Sequence, residues 1–167
     1  MPAGANWLHE IKFDGYRMMV IREQDRVRLI SRGGLDWAKR FPLIVEAALK
    51  LRPEHFVIDG EVVVLAADGI SDFDALASRK HDERAQLYAF DMLAGDGEDY
   101  RGLPLSLRKR NLARLLRRRL NGIFPSEYDA GEMAYDLFGA ACKSGFEDPL
   151  PHERSSIHCH AKVVGIQ

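Results

Sequence analysis

The sequence predicts an α+β domain in which antiparallel sheets are flanked by helices. Three observations lead there. Strand-like runs come in close pairs separated by short polar turns, the pattern of hairpins. Helical spacing falls between such pairs and not after every strand, which argues against a doubly wound parallel sheet. The chain has 167 residues, enough for one substantial core and too few for two comfortable ones.

Taken in order, WLHEIKF alternates as a strand and leads into a tight Asp14-Gly15. YRMMVIRE and RVRLIS flank the polar Gln24-Asp25 and predict an antiparallel pair. DWAKRFPLIVEAALKL takes helical spacing after Pro42, with Leu43, Val45, Ala47, Ala48 and Leu51 available for a buried face. HFVIDGEVVVL reads as a strand interrupted by Gly60, and DFDALASR as a short helix. QLYAFDML is a further apolar strand. A basic helix starts near Leu105, IFPSEY is extended, and GEMAYDLFGAACKSG is a last helix with Gly145 as its C-cap. After Phe146 the character changes: EDPLPHERSSIHCHAKVVGIQ holds two prolines and three histidines, with no period until its last few residues.

Composition excludes several classes. No apolar run reaches the roughly 18 residues of a membrane helix, and MPAGANWLHE lacks the basic start and apolar stretch of a secretory signal. The expected location is cytoplasmic. Cys142 and Cys159 match no zinc or redox spacing, and Cys142 on a helical stretch reads as a small buried hydrophobe. His152, His158 and His160 beside Cys159 form a ligand-like cluster, but in an unpatterned tail they read as incidental. The net charge of −1 is not that of a typical nucleic-acid binder. Basic charge is nevertheless concentrated in LSLRKRNLARLLRRRL, where seven basic residues lie between Arg108 and Arg119 with no acidic ones. Arg108, Lys109, Arg110, Arg114, Arg117 and Arg118 are candidate DNA contacts, against the simpler alternative of a solvated helix face.

The chemistry concentrates in EIKFDGYR, residues 10–17. Its K-x-D-G-x-R spacing arises by chance in roughly one chain of this length in several hundred. A hairpin turn with a surface lysine and arginine beside it would produce the same letters. The chemical alternative is more specific. A lysine amine kept unprotonated can attack an activated phosphorus. A neighbouring glycine lets backbone approach a phosphate, and a guanidinium can grip ribose or phosphate oxygens with two hydrogen bonds.

EIKFDGYR resembles the nucleotidyl-transfer motif of ATP-dependent DNA ligases, shared with RNA ligases and messenger-RNA capping enzymes. The resemblance implies that Lys12 is the catalytic nucleophile, taking AMP from ATP as a phosphoramidate. Glu10 is then the adenine-reading position, Asp14 and Gly15 the motif turn, and Arg17 a nucleotide contact. LISRGG resembles the second motif and implies that Arg32 binds the ribose or the nicked phosphate. DWAKRFP is similar to wording common in bacterial end-joining ligases. VIDGEVVVL resembles the D-G-E motif, which gives Glu61 a ribose or metal role, and YAFDML resembles the motif whose aromatic, here Phe90, stacks on adenine. Together these segments cover residues 6–147 in the family's order, and imply the ligase adenylation (nucleotidyltransferase) fold.

Past that point the likeness fails. Where the fourth motif has the form E-G-x-V-x-K, this chain has GFEDPLPH. Glu147 matches the metal-associated glutamate, but Asp148 replaces the glycine. The paired lysines of a fifth motif are not recognisable, and Lys162 stands alone. The expected organisation is therefore an incomplete adenylation domain over 1–147, a divergent tail over 148–167 that is a candidate for disorder, and no oligonucleotide-binding fold domain. An out-of-frame tail would account for the abrupt change. The expected cofactors are ATP and Mg²⁺. The expected partners are nicked or broken double-stranded DNA and other end-joining repair proteins, with no membrane. The expected role is DNA ligation in repair and recombination through a lysyl-AMP intermediate. The alternative is an inactive remnant that at most binds nucleotide or DNA, and an RNA ligase or capping enzyme ranks below both.

Overall fold

The structure, a computed structural model, describes residues 7–130 and 160–165. It divides into two compact units, residues 1–12 with 127–167, and residues 13–126.

In the first unit, β1 (Trp7–Lys12) is the middle strand of three, between β8 (Tyr128–Ala130) and β9 (His160–Gly165). Both pairings are antiparallel, and they set Glu10 opposite Tyr128 on one side and Lys162 on the other. Six residues of the segment that the sequence assigns to a divergent tail thus form β9, whose His160 lies opposite Lys12 in the backbone register.

The second unit is built on a sheet of strand order β3-β2-β4-β5-β6, from β2 (Tyr16–Glu23), β3 (Arg26–Ser31), β4 (His55–Val63), β5 (Gln86–Gly95) and β6 (Glu98–Asp99). The predicted hairpin at Gln24-Asp25 joins β2 to β3, with Gln24 in the left-handed region at φ 56°. Because β1 and β2 lie in different sheets, Asp14-Gly15 is a link between sheets and not a hairpin turn. The expected break at Gly60 is also corrected. β4 runs unbroken through it, and the irregularity appears as register shifts against β5. The extended piece predicted at IFPSEY supplies β7 (Ile123–Pro125), which pairs with β5 in parallel and makes the sheet mixed.

Alternation sorts each strand into two faces. Met18, Val20, Leu29, Ile58, Val62 and Leu87 are buried on one of them. α1 (Pro42–Lys50) covers that face with Ile44, Ala47 and Ala48, Pro42 serving at its first turn where a missing N–H costs nothing. Leu51 is buried as expected and Val45 is partly buried against the core, but Ile44 takes the place assigned to Leu43, since 44, 47, 48 and 51 follow the helical spacing. The C-terminal carbonyls of α1 are met by Arg22, whose Nη1 donates to Ala48 O at 2.9 Å. α2 (Phe73–Ala77) adds Leu76 and is capped by Asp72, which accepts from Ala75 N at 2.8 Å. α3 (Leu105–Leu115) packs along β5 through Leu112 and Leu115. The helix predicted to end at Gly145 lies outside the described residues, as do Cys142, Glu147, His152, His158 and Cys159.

Candidate functional site

The opposite face of the second unit's sheet carries the polar residues. The register places Arg17 beside Glu61, Glu61 beside Tyr88, and Tyr88 beside Phe124, so one row crosses four strands. Arg17, the second residue of β2, reaches diagonally to Asp59 on β4. Its Nη2 donates to Oδ2 at 2.6 Å and its Nε lies 3.2 Å from both carboxylate oxygens. Asp59 is only 6% exposed. Its hydrogen bonds, against the opposing effect of burial, hold the Arg17 guanidinium protonated above its ordinary range, and the charges of Glu61 and Asp91 add to this. The same guanidinium lies 5.5 Å from the Phe90 ring centroid, within cation–π reach. Phe13, Tyr88 and Phe124 form an aromatic row, with centroids 4.3 Å apart for the first pair and 5.7 Å for the second.

Arg17, Glu61 and Phe90 are therefore brought to one face. Arg32 is exposed at the tip of the turn after β3, one residue beyond Ser31, which lies opposite Met18. That turn is closed by Gly34 at φ 82° and by Gly34 N donating to Ser31 O at 2.8 Å. Asp14 is exposed in the link after β1. Lys12 ends β1 and belongs to the first unit, as does Glu10, which is buried at 8% exposure. Glu147 lies outside the described residues.

Gly15 has a packing reason of its own beside the phosphate approach expected of it. A Cβ there would meet Val62 O at 2.1 Å, and one at Gly60 would meet Tyr88 O at 2.7 Å. Both glycines are demanded by neighbouring backbone, which cannot swing aside as a side chain can. The DWAKRFP run also proves structural. Arg40 sits 5.3 Å from the Tyr16 ring, 4.7 Å from Trp37 and 4.9 Å from Phe41, and its Nε donates to Asp82 at 2.8 Å. This clasp fixes Tyr16, the residue between Gly15 and Arg17.

The basic segment divides. Arg110 and Arg114 on α3, and Arg117, Arg118 and Arg119 just past it, are exposed. Arg108 and Lys109 are turned to the sheet: Arg108 Nε donates to Asp91 at 2.9 Å, and Lys109, 3% exposed, donates to Phe90 O. Those two leave the set of surface cations available to DNA.

Sequence reading passed over Asp59 and Asp91. Their signal was an acidic residue inside an apolar strand, in VIDGEV and in AFDML. As to metal, no group of three or more ligating side chains occurs among the described residues. Glu61 carries carboxylate oxygens of the kind that suit magnesium, and Asp59 and Asp91 are bonded to Arg17 and Arg108. A cavity of about 470 Å³ at the other end of the same face, lined by Met19, Ile21, Val57, Leu93 and Arg101 among others, contains none of the predicted site residues.

Residues 2–144 match the family model described as the ATP dependent DNA ligase domain. The multifunctional non-homologous end joining protein LigD of Pseudomonas aeruginosa is 37% identical over 149 residues, 87% of this chain and 18% of that protein. LigD of Mycobacterium tuberculosis is 33% identical over 152 residues, 91% of this chain and 20% of that protein. The chain thus spans about a fifth of the length of these curated relatives. Among solved structures, the ligase domain of M. tuberculosis LigD superposes with a TM-score of 0.74 at 27% identity, over 99% of this chain and 52% of that one. A mycobacterial DNA ligase D complexed with ATP and MES superposes with a TM-score of 0.71 at 31% identity, over 86% of this chain and 47% of that one.

Proposed function

This chain belongs to the ATP-dependent DNA ligase adenylation-domain family, and on that premise we propose that it takes up AMP from ATP on Lys12 for the sealing of DNA breaks in end-joining repair. The Lys12 amine, having given up its proton, attacks the α-phosphorus. A P–N bond forms, the bond from that phosphorus to the α,β-bridging oxygen breaks, and pyrophosphate leaves. AMP then passes to a 5′-phosphate at the break as the P–N bond breaks and Lys12 is freed. Attack by the 3′-hydroxyl on that 5′-phosphorus closes the strand and expels AMP.

The single observation that carries this reading is the convergence of Arg17, Glu61 and Phe90 on one sheet face of the second unit, Arg17 lying on the strand that follows β1 in sequence. Catalysis of phosphoryl transfer consists mainly of positioning and charge neutralisation. Arg17 supplies fixed positive charge on a guanidinium oriented by Asp59, and Phe90 supplies a flat apolar platform for adenine. Arg32, exposed on its turn, would meet ribose or a nicked phosphate, and Glu10 would read the base. Glu61, with Glu147, would hold a magnesium ion, which when bound neutralises phosphate charge. Exposed Arg110, Arg114, Arg117, Arg118 and Arg119 suit DNA phosphates, with affinity falling as salt rises.

The test is incubation with ATP labelled at the α-phosphate and magnesium, followed by denaturation, with Lys12→Ala alongside. Label retained by the parent and absent from the variant is the expected result. The second reading, nucleotide binding without transfer, is favoured by Asp148 standing where the fourth motif has glycine. A folded parent that binds ATP and acquires no label would establish that second reading in place of the first.

A further inference from the structure

Phe90 occupies an irregular place in its strand. Gly60 pairs with Ala89 and Asp59 pairs with Asp91, so Phe90 is the extra residue of a β-bulge in β5. A bulged residue is left out of the ladder, and its backbone groups need other partners. On the other edge of β5 the parallel strand β7 stops at Pro125, opposite Ala89, and β6 resumes pairing only at Ala94. Between those points α3 lies against β5.

Two consecutive residues of α3 hold two consecutive residues of the bulge. The Lys109 ammonium donates to the Phe90 carbonyl. Arg108 Nε donates to Asp91 Oδ1 at 2.9 Å while its Nη1 donates to Leu103 O at 2.7 Å. Asp91 Oδ1 also accepts from its neighbour Met92 N at 2.8 Å, which fixes the carboxylate against its own backbone. Lys109 is 3% exposed and shares the inward stripe of α3 with Leu112 and Leu115. A lysine there is costly to bury unless its head group is well satisfied. A leucine would pack as well, so packing alone gives no reason for the charge.

We infer that Lys109 is a positioning residue for the nucleotide base: by holding the bulge carbonyl it sets the Phe90 ring, and Arg108 steadies the same bulge through Asp91. This rests on the reading of Phe90 as the adenine platform. A ring displaced by about 1 Å stacks poorly, and misplacement of that size can cost up to about 100-fold in a well-organised site.

The experiment compares binding of ATP and of inorganic tripolyphosphate to the whole chain and to Lys109→Met, Phe90→Ala and the double variant, each checked for a native near-ultraviolet spectrum. Lys109→Met is expected to weaken ATP binding about 10-fold and to leave tripolyphosphate binding unchanged. The double variant should bind ATP no worse than Phe90→Ala, because Lys109 acts through that ring. If Lys109→Met does not fold, Arg108→Gln, whose side chain is partly exposed, serves in its place, with a smaller loss and the same lack of additivity. Equal losses for ATP and tripolyphosphate, or multiplicative losses in the double variant, would overturn the inference while leaving the platform reading intact. Unchanged ATP binding by Phe90→Ala would overturn the platform and the inference together.

Discussion

Two arginine–aspartate forks lie at opposite ends of the same sheet and have nearly the same geometry. Arg17 Nη2 meets Asp59 Oδ2 at 2.6 Å, and Arg101 Nη2 meets Asp99 Oδ2 at 2.6 Å. The first joins residues 42 apart in sequence across β2 and β4, and its carboxylate side chain is 8% exposed. The second joins residues two apart at the tip beyond β6, with its carboxylate 55% exposed. Glycines differ in the same way. Gly15 and Gly60 at the Arg17 end press on neighbouring backbone, whereas Gly97 at the far tip, φ 85°, has nothing within 4 Å of where a Cβ would stand. Identical local chemistry thus serves two purposes. At one end it organises a polar face over a packed core, and at the other it tidies a solvated turn.

The sharpest way to break this contrast is to add one methyl group at each end. Gly15→Ala forces a contact with Val62 O that only backbone movement relieves, and should cost about 3 kcal/mol. Gly97→Ala meets no atoms and should cost about 1 kcal/mol, the penalty for a left-handed conformation. Urea unfolding midpoints at unchanged slope would measure both. Equal, small losses would mean that the strands can part at Gly15, and that the glycine answers to ligand approach instead.

Removing the arginines tests the forks themselves. Arg17→Ala leaves the buried Asp59 carboxylate without its chief donor, and should destabilise by about 2 kcal/mol. The estimate sits below the usual range for a fully buried pair because the Arg17 side chain is 56% exposed. Arg101→Ala should lower the unfolding midpoint only slightly, since both groups of this fork are exposed and screened by water. A midpoint that moves as little for Arg17→Ala would mean that water reaches Asp59 readily, and the distinction between the two ends would fail.

The same contrast marks what could be read from the residues alone. Strand and helix positions were legible because period and punctuation are local: β2, β3, α1 and α3 fall where alternation, Pro42 and the leucine spacing put them. The motif residues Arg17, Glu61 and Phe90 were legible through family resemblance, and they share a face. The reasons for Gly15 and Gly60 were not, since both depend on backbone from strands distant in sequence. Nor was the parallel pairing of β7 or the bulge at Phe90, which depend on register between remote segments. Lys109 was hidden for the opposite cause. In a run of seven basic residues its inward position looks like one more surface charge, and only Leu112 and Leu115 three and six residues on betray the stripe it shares.

The smallest effect is the most diagnostic of the solvated end. The side-chain hydrogen bond from Arg101, helped by the Arg101 backbone N–H and the nearby charge, lowers the Asp99 carboxyl from 3.8 to about 2. A carboxylate depressed on folding adds to stability above its unfolded value, and the contribution fades as pH falls from 3.8 through about 2. The carboxyl carbon of Asp99, followed by NMR down to the onset of acid unfolding, should therefore still be mostly ionised at pH 3. In Arg101→Ala the midpoint should rise toward 3.8. Raising the salt should move it upward only in part, because screening weakens the charge contribution more than a direct hydrogen bond. If Asp99 titrates near 3.8 in the parent chain, the exposed fork is not held in solution. Identical distances would then mean persistence at Asp59 and transience at Asp99, and burial alone would separate them.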